Sequence, residues 1–401
     1  MKDFQTVRGF RDIDPEYTSK LMDIYDKFTL IAKQYNITEI ITPTVEFASL
    51  FQRTVGDNSD IVKKEMFFLQ SEKESLVLKP EGTAGIARYL INKGIFRGRY
   101  FTFDKFFRRE RPQKGRYREF YSISVEFIGK NEYTEDIECL QCFIDLAKIY
   151  DINYTLNVNS IGTIDDRKIY EEEFKKYLQI NYDKLSTYSK ERFNNNNILR
   201  ILDSKHDAEI LQNAPNILNF ICKESKEKFN LIIKYLIYQN INYKINHNIV
   251  RGLDYYNDLV FEFIDNSLDF AQSTICGGGR YDGLFETLES QKTPAIGFGI
   301  GLDRMIEGSK FNIGTRKKVI ILDETGNIEN IQYVNRLRER FSVEYVSYSN
   351  KNLLKSKNSF DMIIVIYQNF CSLTIDKLNF YEKFQDIEVL LNKFTEFSTT
   401  T

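Results

Sequence analysis

The chain predicts an α+β fold, in which an antiparallel sheet flanked by helices is interrupted by a helical block and followed by a small α/β module. Three observations predict it. Strand-like segments of alternating or β-branched and aromatic character recur between residues 66 and 129 and return after residue 256. Residues 163–246, by contrast, turn helical and rich in Lys, Glu, Asn and Tyr, with no glycine between Gly162 and Gly252. Beyond Gly314 strand and helix patterns alternate. At 401 residues the chain exceeds one ordinary core, so two or three domains are expected. The boundaries read as a core of 1–162 and 247–313, an insertion of 163–246 and a C-terminal module of 314–401.

The elements follow in order. Apolar positions Leu21, Ile24, Tyr25, Phe28, Ile31, Ala32 and Tyr35 fall three or four apart, the spacing of an amphipathic helix. ITEIITPTVEF, residues 37–47, is β-rich but holds Pro43, which a strand tolerates chiefly at an edge or bulge. Such an edge suits a subunit contact. Met66–Leu69, Ser75–Leu78, Tyr100–Phe107 and Tyr117–Gly129 read as hairpins of an antiparallel sheet. After the helical block, VFEFI and CGGGRYDGL restore strand character. The final module reads as strand VIIL, helix ENIQYVNRLRERF, then strands VEYVSYS and MIIVIY.

Composition excludes several classes. No apolar run approaches the roughly 20 residues of a membrane helix, although hydrophobic residues make up 42% of the chain. The N-terminus, MKDFQTVRGFRDIDPE, has neither an apolar signal core nor a basic amphipathic leader, which favours the cytoplasm. A net charge of −2 argues against a uniformly basic nucleic-acid coat, so any RNA contact must be regional. Cys139-x-x-Cys142 lies in a helical pattern without two further ligands, and neither His206 nor His247 has metal-ligand spacing. No protein-bound metal is expected, and the cysteines read as thiols of a reducing compartment.

Chemistry concentrates in three places. Phe107-Arg-Arg-Glu-Arg-Pro-Gln-Lys-Gly-Arg-Tyr-Arg-Glu-Phe120 sets many guanidinium groups on a turn between two strands, where Arg108, Glu110 and Phe120 can converge on one face. Alone, the same pattern fits a solvated charged hairpin. Arg251-Gly-Leu-Asp-Tyr-Tyr256 and Gly277-Gly-Gly-Arg-Tyr-Asp-Gly283 fit a cradle for a small polar ligand, or, for the triple glycine, a tight bend. Ala295-Ile-Gly-Phe-Gly-Ile-Gly-Leu-Asp-Arg304 is a glycine-rich strand running into a helix, in isolation a weak phosphate signal.

In order and wording these segments resemble the signatures of class II aminoacyl-tRNA synthetases, specifically the histidyl-tRNA synthetase family, over roughly residues 6–306. RGFRDIDPE resembles the family's entry, ITEIITPTVE its motif 1, LKPEGTA its amino-acid loop and FRRERPQKGRYREF its motif 2. RGLDYYN and GGGRYDGL resemble its two histidine signatures, and AIGFGIGLDR its motif 3. The resemblance implies a six- or seven-stranded antiparallel sheet carrying the active site, a helical insertion, a C-terminal anticodon-binding α/β domain and a homodimer built on motif 1. It implies L-histidine, ATP with Mg²⁺ and tRNA(His) as substrates, with histidyl-adenylate as intermediate.

Residue roles follow from the same resemblance. Arg251 is the implied catalytic group, neutralising charge as the carboxylate attacks phosphorus, beside Arg108 on the α-phosphate and substrate carboxylate. Glu110 and Phe120 would read and stack the adenine, and Arg304 would hold the distal phosphates. Glu126 and Tyr256 would read the two imidazole nitrogens, Glu81, Thr83 and Ser122 the α-ammonium, with Tyr255 and Tyr281 lining the pocket. Arg111 and Gln113 would meet the tRNA acceptor end. The chain departs from the family in Tyr121-Ser122, where His-Gln is usual, and in Lys79, where arginine is usual; its C-terminal region is short. A rival reading is the non-charging, histidine-binding regulatory subunit of ATP phosphoribosyltransferase. That relative is expected to lack the RGLDYY arginine and the C-terminal domain, both of which this chain keeps.

Overall fold

The computed structural model describes residues 4–55, 61–70, 74–249, 255–268, 273–308, 311, 317–347, 360–375 and 380–390. Backbone contacts divide the chain into two compact units, Met1–Phe311 and Asn312–Thr401. The first unit opens with α1 (Pro15–Gln34), whose start is set by the Asp14 side chain accepting from the Tyr17 amide at 2.7 Å and by proline at the first helical position. Its buried residues, Leu21, Ile24, Phe28, Ile31 and Ala32, are the predicted stripe.

Next come β1 (Thr38–Glu39), β2 (Val45–Phe47), α2 (Ala48–Val55) and a π-helical turn, Ile61–Glu65. Pro43 lies between β1 and β2, not inside a strand, because those strands join different sheets. β3 (Phe67–Leu69) and β4 (Leu76–Leu78) pair antiparallel as predicted, but in a separate three-stranded sheet of order β2-β4-β3. After α3 (Thr83–Lys93) the long hairpin β5 (Gly98–Phe107) and β6 (Glu119–Ile128) begins the main sheet. α4 (Tyr133–Ile149) and β7 (Tyr154–Ser160) follow.

The helical stretch contains α5 (Ile164–Ile180), α6 (Thr187–Asn194), the short α7 (Ala208–Leu211) and α8 (Lys223–Tyr238), then β8 (Tyr243–Ile245). It is not uniform. Tyr170, Phe174 and Leu178 of α5 pack with Leu185, Ile198 and Ile201, whereas Phe229, Ile232 and Leu236 of α8 join the core beneath the main sheet. β8 pairs parallel with β7, so the last part of the stretch completes the sheet's own layers. β9 (Asn257–Asp265), β10 (Thr274–Arg280), α9 (Leu284–Thr287), β11 (Ala295–Gly301) and α10 (Leu302–Gly308) close the unit.

Among the described residues the main sheet has eight strands in the order β1-β5-β6-β11-β10-β9-β7-β8. This corrects the expected six or seven antiparallel strands. The six central strands are antiparallel, and the short β1 and β8 add parallel edges at either side. One face is covered by α1, α4 and α8 around Phe101, Phe127, Phe143, Phe261 and Phe298. Cys139 and Cys142 are buried in that layer as free thiols.

The second unit carries β12 (Lys318–Asp323), α11 (Ile331–Arg338), β13 (Ser342–Ser347) and β14 (Met362–Ile366), the predicted alternation. It adds β15 (Cys371–Ile375) and β16 (Phe380–Phe384), giving a mixed sheet of order β13-β12-β14-β15-β16. Among the described residues no helix is long and apolar enough to cross a membrane.

Candidate active site

The face of the main sheet opposite α1, α4 and α8, on which α3 also packs, holds a cavity of about 310 Å³. Strand alternation builds its floor. On β6, Ile123, Val125 and Phe127 turn into the core, while Ser122, Ser124 and Glu126 face the other way. Opposite them in β11 stand Gly301, Gly299 and Gly297, so the polar row of one strand faces a row without side chains. The triple glycine is the interior of β10, not a bend. A Cβ on Gly279 would lie 2.6 Å from the Leu259 carbonyl oxygen and 3.0 Å from the Tyr256 ring.

At one end, Glu126 is 1% exposed. The Thr83 hydroxyl donates to its Oε1 at 2.6 Å, and the Tyr281 hydroxyl donates to Oε2. Burial raises the Glu126 carboxyl to about 8 against those hydrogen bonds, and nearby Glu81 adds to the rise. The two Glu81 oxygens accept the amides of Thr83 at 2.7 Å and Ala84 at 2.9 Å, in the first turn of α3. Burial raises this carboxyl too. Tyr255, Tyr256 and Tyr281 form an aromatic wall, with ring centroids 4.8 Å apart for Tyr255–Tyr256 and 5.5 Å for Tyr255–Tyr281. Burial pushes the Tyr255 and Tyr281 phenols up, which keeps them as donors.

The other end is cationic. Arg108, just past β5, donates from Nε to the Pro80 carbonyl at 2.9 Å and lies 5.3 Å from the Phe120 ring centroid. Arg304, in the first turn of α10, donates to the carbonyls of Gly115 and Thr274, both at 2.8 Å. Burial, then repulsion from Arg116 and Arg108, lowers the Arg304 guanidinium to about 10. Arg116 pairs with Glu110, yet burial still lowers it. Three guanidinium groups thus converge where each disfavours the next, an arrangement that an anion relieves.

Of the residues singled out from the sequence, Glu81, Thr83, Arg108, Glu110, Phe120, Ser122, Tyr255, Tyr256, Tyr281 and Arg304 line this cavity, and Glu126 lies beneath it. Arg111 and Gln113 are exposed on the β5–β6 loop, outside the lining. Arg251 lies outside the described residues. The lining also includes Ser124, Arg116, Tyr117, Glu262 and Asp303, which the sequence reading missed. Alternation from Ser122 and Glu126 could have found Ser124. Nothing in a loop so dense in arginine marks which guanidinium turns inward.

A family model described as histidyl-tRNA synthetase matches residues 9–305. The histidine–tRNA ligase of Clostridium novyi (strain NT) is 36% identical, the match covering 98% of this chain and 98% of that protein. The chloroplastic histidine–tRNA ligase of Gracilaria tenuistipitata var. liui is 42% identical over 76% of this chain and 73% of its own. Among solved structures, the S. aureus histidyl-tRNA synthetase superposes with a TM-score of 0.74 at 24% identity, covering 98% of this chain and all of that one (100%). At that identity the likeness speaks for the fold.

Proposed function

Because this chain belongs to the histidyl-tRNA synthetase family, we propose that it is a histidine–tRNA ligase working in two steps through histidyl-adenylate. In the first, a carboxylate oxygen of histidine attacks the α-phosphorus of ATP, and the bond to the β-phosphate breaks to release pyrophosphate. In the second, a hydroxyl of the terminal ribose of tRNA(His) attacks the acyl carbon and AMP leaves. Mg²⁺ enters as part of the nucleotide substrate.

The observation that carries the reading is the pairing, in one cavity, of a buried carboxyl end with a converging cationic end. A neutral imidazole offers one donor and one acceptor, which Glu126 and the tyrosine hydroxyls complement. A side chain unable to answer them would leave buried polar groups unpaired, so selectivity needs no editing domain. Glu81, with Thr83 and Ser122, takes the α-ammonium. Arg108 sits between the ends, suited to the carboxylate and α-phosphate, with adenine against Phe120 and Glu110 and the distal phosphates at Arg304. Arg251 completes the charge neutralisation at phosphorus as the catalytic arginine, and the exposed Arg111 and Gln113 face the acceptor end of the tRNA.

The domain reading keeps 1–162 and 247–313 as the catalytic core, 163–246 as the insertion and 314–401 as the anticodon-binding module. Within it, α8 and β8 are the part of the insertion built into the core. A homodimer forms over the three-stranded sheet, whose Val45, Phe47, Phe68 and Leu69 are exposed at 41%, 52%, 54% and 36%. Histidine-dependent exchange of pyrophosphate into ATP, without tRNA, tests the first step and separates this reading from a non-charging one. Exchange is expected with histidine alone among the amino acids. Histidine binding without exchange would support the regulatory reading instead.

A further inference from the structure

We infer that Arg11 is a positioning residue for the nucleotide, the fastening by which the N-terminal segment Arg8–Arg11 holds the β5–β6 loop against α10; this rests on the reading that the cationic end takes ATP. The Arg11 guanidinium lies 3.8 Å from the Tyr117 ring centroid and 4.5 Å from that of Tyr17. It donates to the Tyr17 hydroxyl at 2.7 Å and pairs with Asp303. The second Asp303 oxygen accepts the Tyr121 amide at 3.0 Å, and the Tyr117 hydroxyl donates to Glu307 of α10 at 2.7 Å. One guanidinium therefore joins α1, the loop and the start of α10.

A second fastening lies beside it. The Arg118 amide donates to the Gly9 carbonyl at 2.9 Å, and Arg118 Nη1 donates to the Arg8 carbonyl at 3.2 Å. Gly9 has φ +90°, and a Cβ there would lie 2.7 Å from Arg118 Cδ and 3.0 Å from Pro112 Cγ. The segment thus lies against the loop closely enough to require glycine.

The consequence for the site follows from sequence adjacency. Tyr117 follows Arg116, and Asp303 precedes Arg304, so the two residues Arg11 grips are neighbours of two arginines that line the cavity. Those arginines repel each other. The loop and α10 are joined directly by the Arg304–Gly115 and Tyr117–Glu307 hydrogen bonds; Arg11 adds a further tie through Asp303 and the Tyr117 ring. It is not among the lining residues, so it acts through Tyr117 and Asp303. Loosening it lets Arg116 and Arg304 drift apart, and misplacement of phosphate-holding groups by even about 1 Å is costly. Histidine's end is held by bonds that do not involve Arg11: Thr83 and Tyr281 to Glu126, and the amides of Thr83 and Ala84 to Glu81.

The test is pyrophosphate exchange with ATP and histidine varied separately for wild type, Arg11→Gln, Arg11→Lys, Gly9→Ala and Tyr117→Phe, with histidine binding measured directly without ATP. Arg11→Gln is expected to raise the KM for ATP about tenfold and leave histidine affinity within about twofold. Arg11→Lys should recover part of the loss, because it keeps the charge on Asp303 but not the planar stacking. An unchanged ATP constant in Arg11→Gln, or an equal rise in both constants, overturns the inference. Should Arg11→Gln not fold, Gly9→Ala and Tyr117→Phe decide: a selective rise in the ATP constant supports it and unchanged constants overturn it. Wild-type protein without histidine-dependent exchange would instead remove the proposed function.

Discussion

The two ends of the cavity are built on opposite principles. At the Glu126 end the groups sit on strands and a helix start, nearly all buried, with hydrogen-bond partners already in place. At the Arg304 end three guanidinium groups sit on a loop and one helix turn, Arg108 and Arg304 held by carbonyls and Arg116 by Glu110. On the proposed reading, the first end takes a neutral ring that must be told from other side chains. The other gathers three guanidinium groups, which suit a polyanion. Rigid elements suit discrimination, because a buried unpaired group penalises the wrong ligand; convergent cations suit phosphate, whose charge is the same in every ATP.

The comparison breaks most completely if the cationic end is removed. Arg304→Ala should lower exchange about 100-fold or more, the ordinary effect of losing a preorganised charge, while calorimetry finds histidine binding unchanged. A matched loss of histidine affinity would show that the ends are one unit.

Glu126→Gln should do the converse, raising the KM for histidine about 100-fold with the ATP constant little moved. Burial raises the carboxyl to about 8, so near neutrality it carries a proton that must leave before its oxygens accept an imidazole N–H. The histidine constant should therefore fall as pH rises toward about 8 and flatten above it. In Glu126→Gln that limb should vanish. Stability runs the other way: the folded state keeps a proton that the unfolded chain loses above its ordinary 4.5, so stability falls as pH rises from 4.5 to about 8. At pH 8 the glutamine variant should melt higher than wild type despite having lost its ligand.

A smaller lesion tests whether the glycine row is part of the discriminating end. A Cβ at Gly297 would collide with the Val125 carbonyl and the Glu126 carboxylate. Gly297→Ala should then raise the histidine constant about tenfold by displacing Glu126. An equal change in the ATP constant would place the damage in the sheet as a whole.

What the sequence revealed divides along the same line. The β5–β6 hairpin was legible because period-two alternation over ten residues leaves a strong signal, whereas Ser122 and Glu126 were singled out by the family resemblance. The stripe of α1 was legible too. The edges β1 and β8, two and three residues long, are too short for periodicity, so the pattern could not add them to the six or seven strands that the resemblance implied. Gly277–Gly279 read equally as a bend, because glycine marks close backbone approach without saying to what. At the cationic end, composition announced a phosphate loop and the resemblance named Arg304, but nothing showed that Arg116 turns inward while Arg111 stays exposed. The grip of Arg11 on Asp303 spans most of the first unit in sequence, a contact only the fold creates.

The smallest expected effect concerns Ser122, where the chain departs from its family inside the discriminating end. Ser122 lines the cavity, with its hydroxyl only 3.4 Å from the neighbouring Ile123 carbonyl, a weak contact that leaves it available to the ligand. Tyr121 offers no substitute: its ring packs 6.0 Å from Phe103 against the core, on the face away from Ser122, as alternation requires. A serine hydroxyl reaches less far than a glutamine amide, so on the proposed reading a water would bridge to the α-ammonium, at little cost compared with a direct charge-assisted bond of roughly 1.5–3 kcal/mol. Ser122→Gln should therefore lower the histidine KM only about threefold, with turnover unchanged because the contact is made equally in ground and transition states. Gly299 and Gly301 across the strand leave room for the longer side chain. A fall of a hundredfold would mean that no water bridges the gap and that the end is less complete than its buried hydrogen bonds imply; a rise would mean that the pocket has closed around serine.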